Sequence, residues 1–266
     1  MAESGRLTRA PAAPAVDPVL LVRIAIIVAV LAIWEALARS GLLYRDVVPS
    51  LIAIGKAVGA QLMARDYYWH LGWTVLEVAS ALAIGGIAGL VVGLILGGNR
   101  TLGRAFEPYL YYLGPTPKII FFPIMIMWFG IGPGSKVALG TLSCFFPIAL
   151  STAGGMRQID QVFIKVGRSF RARTWQMVSK IYLPALRQPI LNGVRLGLGV
   201  AIIGTLLAET KLANRGIGFL IINAYSTFDM PRMYALLLIL FVLAIGANAL
   251  VGWAGGAETT KRGSKA

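Results

Sequence analysis

MRQIDQVFIKVGRSFRARTWQMVSKIYLPALR, residues 156–187, is a basic, helix-prone island in an otherwise oily chain. Seven of its residues are Lys or Arg, and long apolar runs flank it on both sides. A polar connection of this length between membrane spans must face water. The pattern predicts two short helices, 160–170 and 174–182, with Pro184 ending the pair. Val162, Val166 and Phe170 recur at four-residue steps, as do Met177 and Ile181 on the second helix, flanked by Arg173 and Lys180. A short amphipathic helix seated in a groove is a common way for a soluble partner to be gripped. A basic loop resting on anionic headgroups is the alternative.

Composition extends this reading outward. Of 266 residues, 57% are hydrophobic and 14% charged, and the mean hydropathy is +0.74. Soluble domains carry about 25% charged residues, so the deficit indicates a membrane protein. A hydrocarbon layer about 30 Å thick needs roughly 20 apolar residues per helix. Six segments meet that length: 19–38, 70–97, 106–129, 137–155, 188–208 and 232–254. Backbone groups in lipid must bond internally, which leaves helices or a closed barrel, and barrel strands are about 10 residues long and alternate in polarity. The expectation is an all-α polytopic protein with about six transmembrane helices. It runs over 19–254 between a disordered Ala/Pro-rich N-tail (1–18) and a C-tail (255–266). The first apolar segment reads as a retained anchor, since more spans and no convincing cleavage site follow it.

The net charge of +14 does not call for nucleic acid. With the N-terminus in the cytoplasm, fourteen Lys and Arg fall inside, including the seven of the island. Eight fall outside, and Arg23, Lys118 and Arg195 lie within spans. The positive-inside rule accounts for that asymmetry, and six spans place both termini inside. Cys144 is the one cysteine and His70 the one histidine, so no disulfide framework or cysteine-based zinc site is expected. His70 reads as an interfacial side chain at a span's outer edge, because a metal site needs several convergent ligands. The glycine string at 130–134 lacks the Gly-Lys-Ser/Thr order of a phosphate loop. With no nucleophile–base pair or ligand cluster either, no ATPase or other enzyme activity is expected in this chain.

Two further features organise the spans. Gly85, Gly89, Gly93 and Gly97 are four residues apart and predict a bare helix face for close packing. Residues 106–129 are broken by Gly114-Pro115-Thr116-Pro117-Lys118. Two prolines remove two backbone donors, and irregular backbone at membrane depth survives only against protein or a water-filled cavity. Thr116, Pro117, Lys118, Phe121 and Phe122 are therefore candidate pathway residues. A kink with Lys118 snorkelling to an interface is the other reading. Residues 49–64 predict a helix lying along the outer face.

Taken in order, these stretches resemble the permeases of binding-protein-dependent ABC importers. The spacing from Lys165 through Arg171 to Ile181, Leu183 and Pro184 is similar to that family's cytoplasmic "EAA" loop. Supporting stretches are Val48-Pro49-Ser50, the run from Phe122-Pro123 to Gly132, Phe145-Phe146-Pro147, Gly193-Val194-Arg195, Ala208-Glu209 and Gly216-Ile217-Gly218. The likeness covers about residues 20–255 and looks most like the nitrate/sulfonate/taurine/bicarbonate branch. It implies a type I ABC importer permease fold in a bacterial plasma (inner) membrane. The coupling loop, with Asp160, Lys165, Gly167, Arg171, Arg173, Ile181, Leu183 and Pro184, would dock on a dimer of cytoplasmic ABC ATPase subunits. ATP and magnesium would bind there, with no cofactor in this chain. A periplasmic or lipid-anchored solute-binding protein would deliver a small anion: a sulfonate, nitrate, taurine, bicarbonate or an organic carboxylate. A second permease copy, a homodimer in preference to a heterodimer, would complete the pathway.

Three positions depart from the family pattern: Lys165 stands for its glutamate, Gly167 for its alanine and Arg171 for its turn glycine. A non-glycine in a left-handed turn costs about 1 kcal/mol, so the loop is expected to turn elsewhere or run on as helix. Glu77 is a further charge reversal, where relatives carry arginine. The competing class is an ATP-independent secondary transporter or channel, which predicts inverted repeats with paired broken helices. One break and no repeat argue against it.

Overall fold

The computed structural model describes residues 18–41 and 47–256. The tails expected at 1–18 and 255–266 lie outside these residues, save for the helix ends at Pro18 and 255–256. The chain divides into two units, Met1–Lys56 and Ala57–Ala266.

In the first unit, α1 (Pro18–Ser40) has no buried residue, as suits a helix whose surroundings are lipid. Apart from Arg23, its polar side chains lie at its C-terminal end. The Glu35 carboxylate accepts from Arg39 at 2.7 Å and from the Leu51 N–H at 2.9 Å, while the Trp34 indole donates to the Pro49 carbonyl at 3.1 Å. Glu35 thereby satisfies a free amide at the start of α2 (Leu51–Met63), one of the four that a helix N-terminus leaves unpaired. Residues of α2 from Ala57 onward belong to the second unit.

The second unit is built on α3 (Arg65–Gly98), α4 (Arg100–Leu113), a 3-10 turn (Lys118–Phe121), α5 (Phe122–Phe129) and α6 (Pro133–Arg157). The island follows as α7 (Gln161–Ser169), α8 (Thr174–Met177), a π turn (Val178–Tyr182) and α9 (Leu183–Ala185). The chain closes with α10 (Arg187–Lys211), α11 (Ile217–Ser226) and α12 (Met230–Gly256). Among the described residues no strand occurs. The six expected apolar segments are all present. Five are single helices long enough to cross a membrane, α1 of the first unit among them. The sixth is α4 with the segment Lys118–Phe129, bent by 92° at the Gly-Pro-Thr-Pro break.

The centre of the second unit is α6, which packs α3 on one side and α10 on the other. Half of its apolar window is buried, against 17% for α12. Lipid tails are as apolar as leucine, so helix association here depends on close van der Waals fit. Small residues provide it. Gly85, Gly89, Gly93 and Gly97 line the α3 face that meets α6. A Cβ on Gly93 would lie 2.6 Å from the Ala149 carbonyl oxygen, and one on Gly97 2.8 Å from that of Ala153. On the other side, Gly193, Gly197 and Gly204 of α10 lie against Ser151, Ile148 and Ser143 of α6.

Two sequence expectations are corrected. Pro184 does not end the island's second helix, because helical backbone continues through α9 and, after a break at Leu186, into α10. Pro184 has no N–H for the carbonyl of residue 180, and the backbone opens into the π turn just before it. Leu186, fully buried with Met156 and Ile159, anchors the junction. His70 is not interfacial. It is 5% exposed, because the later segment around α11 folds over it.

Candidate translocation cavity and coupling surface

The break after α4 opens a cavity of about 560 Å³ between residues 114–119, α6 (Leu139, Ser143, Phe146) and α10 (Leu196, Ile203, Leu207). Its walls are almost wholly apolar. Among the described residues that line it, Lys118 carries the one charge. The Lys118 ammonium donates to the Gly114 carbonyl oxygen and lies 5.2 Å from the centre of the Phe146 ring. An ammonium has three donors, so two stay available to a ligand once the carbonyl is bonded. Thr116 and Pro117 also line the cavity, and the Thr116 hydroxyl donates to Tyr112 O at 3.2 Å. Phe121 and Phe122 do not line it. Phe122 packs instead against Leu139 and Ala208 in the core.

At the island, each turn has a local cause. The Asp160 carboxylate accepts the Val162 N–H at 2.9 Å and starts α7. Gly167 is buried against the second segment, where a Cβ would meet Ile181 Cδ1 at 2.5 Å and Met177 Sδ at 2.6 Å. The family's alanine would therefore crowd this crossing. The turn stays at Arg171, contrary to the expectation that it would move. Arg171 takes φ +50, its N–H bonds the Arg168 carbonyl at 2.9 Å, and the Ala172 N–H bonds that of Gly167 at 3.0 Å. This pair of bonds is a Schellman motif, whose left-handed position usually holds glycine. The Arg173 N–H then bonds Gln176 Oε1 at 2.8 Å to begin α8. Ile181 and Leu183 are partly buried, while Lys165 and Pro184 are exposed. Val162, Phe163, Val166, Phe170 and Trp175 are 48–83% exposed, an apolar face on the connection that must meet water.

At the opposite end lies a buried polar lock that sequence reading did not assemble. Glu209 is fully buried and accepts from the Thr74 hydroxyl at 2.7 Å and from the Gly218 N–H at 2.6 Å. Thr74 Oγ1 accepts the Ile217 N–H at 2.8 Å, and His70 Nδ1 accepts the Gly216 N–H at 3.1 Å. Three free amides at the start of α11 are thus capped by side chains of α3 and α10, with a carboxylate at the helix N-terminus where the dipole favours it. Gly216 is required here, since its φ is +101 and a Cβ would fall 2.3 Å from Glu209 Cδ. Lys136 ties the loop before α6 to the end of α10 through the carbonyls of Ile131, Gly132 and Leu212. Glu77 lies beside Glu209 and Lys136 with Oε2 buried and unpartnered. The residues of this lock are up to 146 positions apart, and nothing in their local sequence pairs them.

Comparison with known proteins agrees with this architecture. The family model for the binding-protein-dependent transport system inner membrane component matches residues 85–255. The chain is 28% identical to the putative aliphatic sulfonates transport permease protein SsuC of Bacillus subtilis, over 80% of this chain and 78% of that protein. It is 30% identical to the taurine transport system permease protein TauC of Escherichia coli (77% and 76% covered). It is 31% identical to the formylaminopyrimidine transport permease protein ThiX of Halalkalibacterium halodurans (80% and 84% covered). Among solved structures, a chain of the MetNI methionine ABC transporter in an inward-facing conformation superposes with a TM-score of 0.58 at 22% identity, covering 73% of this chain and 96% of that one. A broken span beside a cavity, a water-facing loop with an apolar face, and a family match over most of the chain converge: this protein belongs to the inner membrane components of binding-protein-dependent transport systems, the multi-pass permease subunits of ABC importers.

Proposed function

We propose that the Lys118 cavity is a station on the translocation pathway for a small organic anion, and that the island 156–187 is the coupling loop. The loop transmits movement from a cytoplasmic ATPase dimer that binds ATP and magnesium. On this reading both termini and the island face the cytoplasm, the end bearing α11 faces the periplasmic or lipid-anchored solute-binding protein, and two copies of this chain form the pathway. Thr116, Pro117 and Lys118 contact the cargo. Phe121 and Phe122 support the broken span from behind.

One observation carries the substrate class: a single ammonium with donors to spare, set in an otherwise apolar cavity of about 560 Å³. A half-buried cation within a span favours an anionic partner, and the apolar walls suit the carbon portion of a sulfonate or carboxylate better than bare nitrate or bicarbonate. Relatives named for aliphatic sulfonates and taurine support the same class.

The coupling role is supported by the exposed apolar face of α7 and α8, of the kind that seats in a partner's groove. Removing residues 174–181 should abolish co-purification of the ATPase while membrane insertion persists. Undiminished co-purification would refute the docking role.

A further inference from the structure

A second cavity, of about 820 Å³, lies where the apolar part of α3 ends, between α3, α4, α6 and α7. Arg100 and Arg104 of α4, Arg157 of α6 and Arg168 of α7 converge on it. The lining holds a single carboxylate, Glu107, and Arg157 is bonded to it. Among the described residues, Arg100, Arg104 and Arg168 have no carboxylate partner. Three exposed guanidinium groups around one space raise a local positive potential that favours an anion there, and arginine's planar fork suits phosphate oxygens. Gly97, Gly98 and Gly103 contribute backbone to its lining.

We propose that this cavity binds the phosphate headgroup of an anionic phospholipid. Three observations favour a lipid over free phosphate or an acidic protein segment. The volume falls in the range of about 300–1,000 Å³ typical of ligand sites and exceeds what one phosphate ion fills. The cavity lies where an apolar span gives way to arginines, and basic pockets between span ends hold anionic headgroups. Leu96, Pro108 and Met156 provide an apolar wall for the glycerol and the first acyl carbons. The cavity also takes one face of α7, Gln161, Ile164 and Arg168. The exposed apolar residues Val162, Phe163, Val166 and Phe170 lie on the opposite face, so a headgroup and a protein partner do not compete. A bound headgroup bridges α4 to α7 and steadies the island from behind. This inference stands whichever substrate is carried.

The test is native mass spectrometry of the full-length chain in detergent. Cardiolipin is titrated, phosphatidylethanolamine is the zwitterionic reference, and inorganic phosphate is the competitor. The wild type should retain cardiolipin over the reference. The double variant R104Q/R168Q should bind it about thirtyfold more weakly, from about 1 kcal/mol per lost basic contact. The double variant K165Q/K180Q, which removes the same number of charges from the island outside the cavity, should lose less than about threefold. Equal losses in the two doubles would reduce the effect to diffuse surface charge and overturn the site. Displacement of cardiolipin by inorganic phosphate would overturn the lipid assignment. Unchanged cardiolipin binding in R104Q/R168Q with lost ATPase association would give the cavity to a protein segment. If R104Q/R168Q does not fold, the single variant R100Q must show about a fivefold loss for the proposal to stand.

Discussion

Replacing Gly93 with alanine should destabilise the protein, whereas the same change at Gly86, seven residues away on the same helix, should not. A Cβ at Gly93 would lie 2.5 Å from Thr152 Cβ and 2.6 Å from the Ala149 carbonyl oxygen. Ordinary contacts are about 3.5–4.0 Å, so α3 and α6 would have to part by about 1 Å. Backbone takes part in the clash, so no rotamer change relieves it. Overpacking of this kind costs about 1–3 kcal/mol, and the gain in helix propensity from glycine to alanine offsets at most about 1 kcal/mol. With that offset taken in full, the net loss is about 0–2 kcal/mol, or up to roughly 8 °C in melting temperature at about 2–4 °C per kcal/mol. At Gly86 the nearest atom to a Cβ is Ile148 Cδ1 at 3.8 Å. That variant keeps the contact and the propensity gain, and should melt at or slightly above the parent. G89A and G97A should follow G93A, because each would bring a Cβ to 2.8 Å from a carbonyl oxygen of α6. The assay is fluorescence-detected size exclusion after a heating series in detergent. If G93A melts with or above G86A, the helices are not held at glycine distance and the packing argument fails.

Three other outcomes are expected. Arg171→Gly removes the cost of a side chain at φ +50, about 1 kcal/mol, so hydrogen exchange at the Ala172 amide should slow about fivefold; faster exchange would mean the turn is not strained. Glu209→Ala leaves the Thr74 hydroxyl and the Gly218 amide without their acceptor, at about 1–3 kcal/mol for each buried unpaired group, and should lower the melting temperature more than Glu209→Gln; a parental melting temperature for Glu209→Ala would show that the lock contributes no stability. Lys118→Met should cut uptake of the cargo while leaving dimer and ATPase assembly intact, and normal uptake would remove Lys118 from the pathway.

Local rules held where a property depends on a few neighbouring residues. The broken span is the clearest case: Pro115 and Pro117 delete backbone donors wherever they stand, so a break between residues 114 and 118 followed from composition. Its 92° bend and the cavity beside it did not, since both depend on α6 and α10 lying alongside. Arg171 is the converse. A local cost of about 1 kcal/mol argued for moving the turn, yet Gly167 seats Met177 and Ile181 and pins the two island segments so that the chain must reverse at residue 171. His70 read as interfacial because its own helix places it near a span end. The segment that buries it arrives 146 residues later.

Sequence alone determined that this chain lives in a membrane, how many apolar segments it has, where one of them breaks and which connection is basic. These are one-dimensional quantities: the fixed thickness of the hydrocarbon layer and the missing donors of proline act on contiguous residues. Tertiary structure alone decided that Glu209, Thr74 and His70 cap α11, that Lys118 is the only charge lining its cavity among the described residues, and that three arginines without carboxylate partners face a second one. Each of these depends on distances between residues far apart in the chain. The glycine spacing marks a packing face in the sequence, but which helix meets it, and which distant residues are thereby brought together, is decided only by the packing itself.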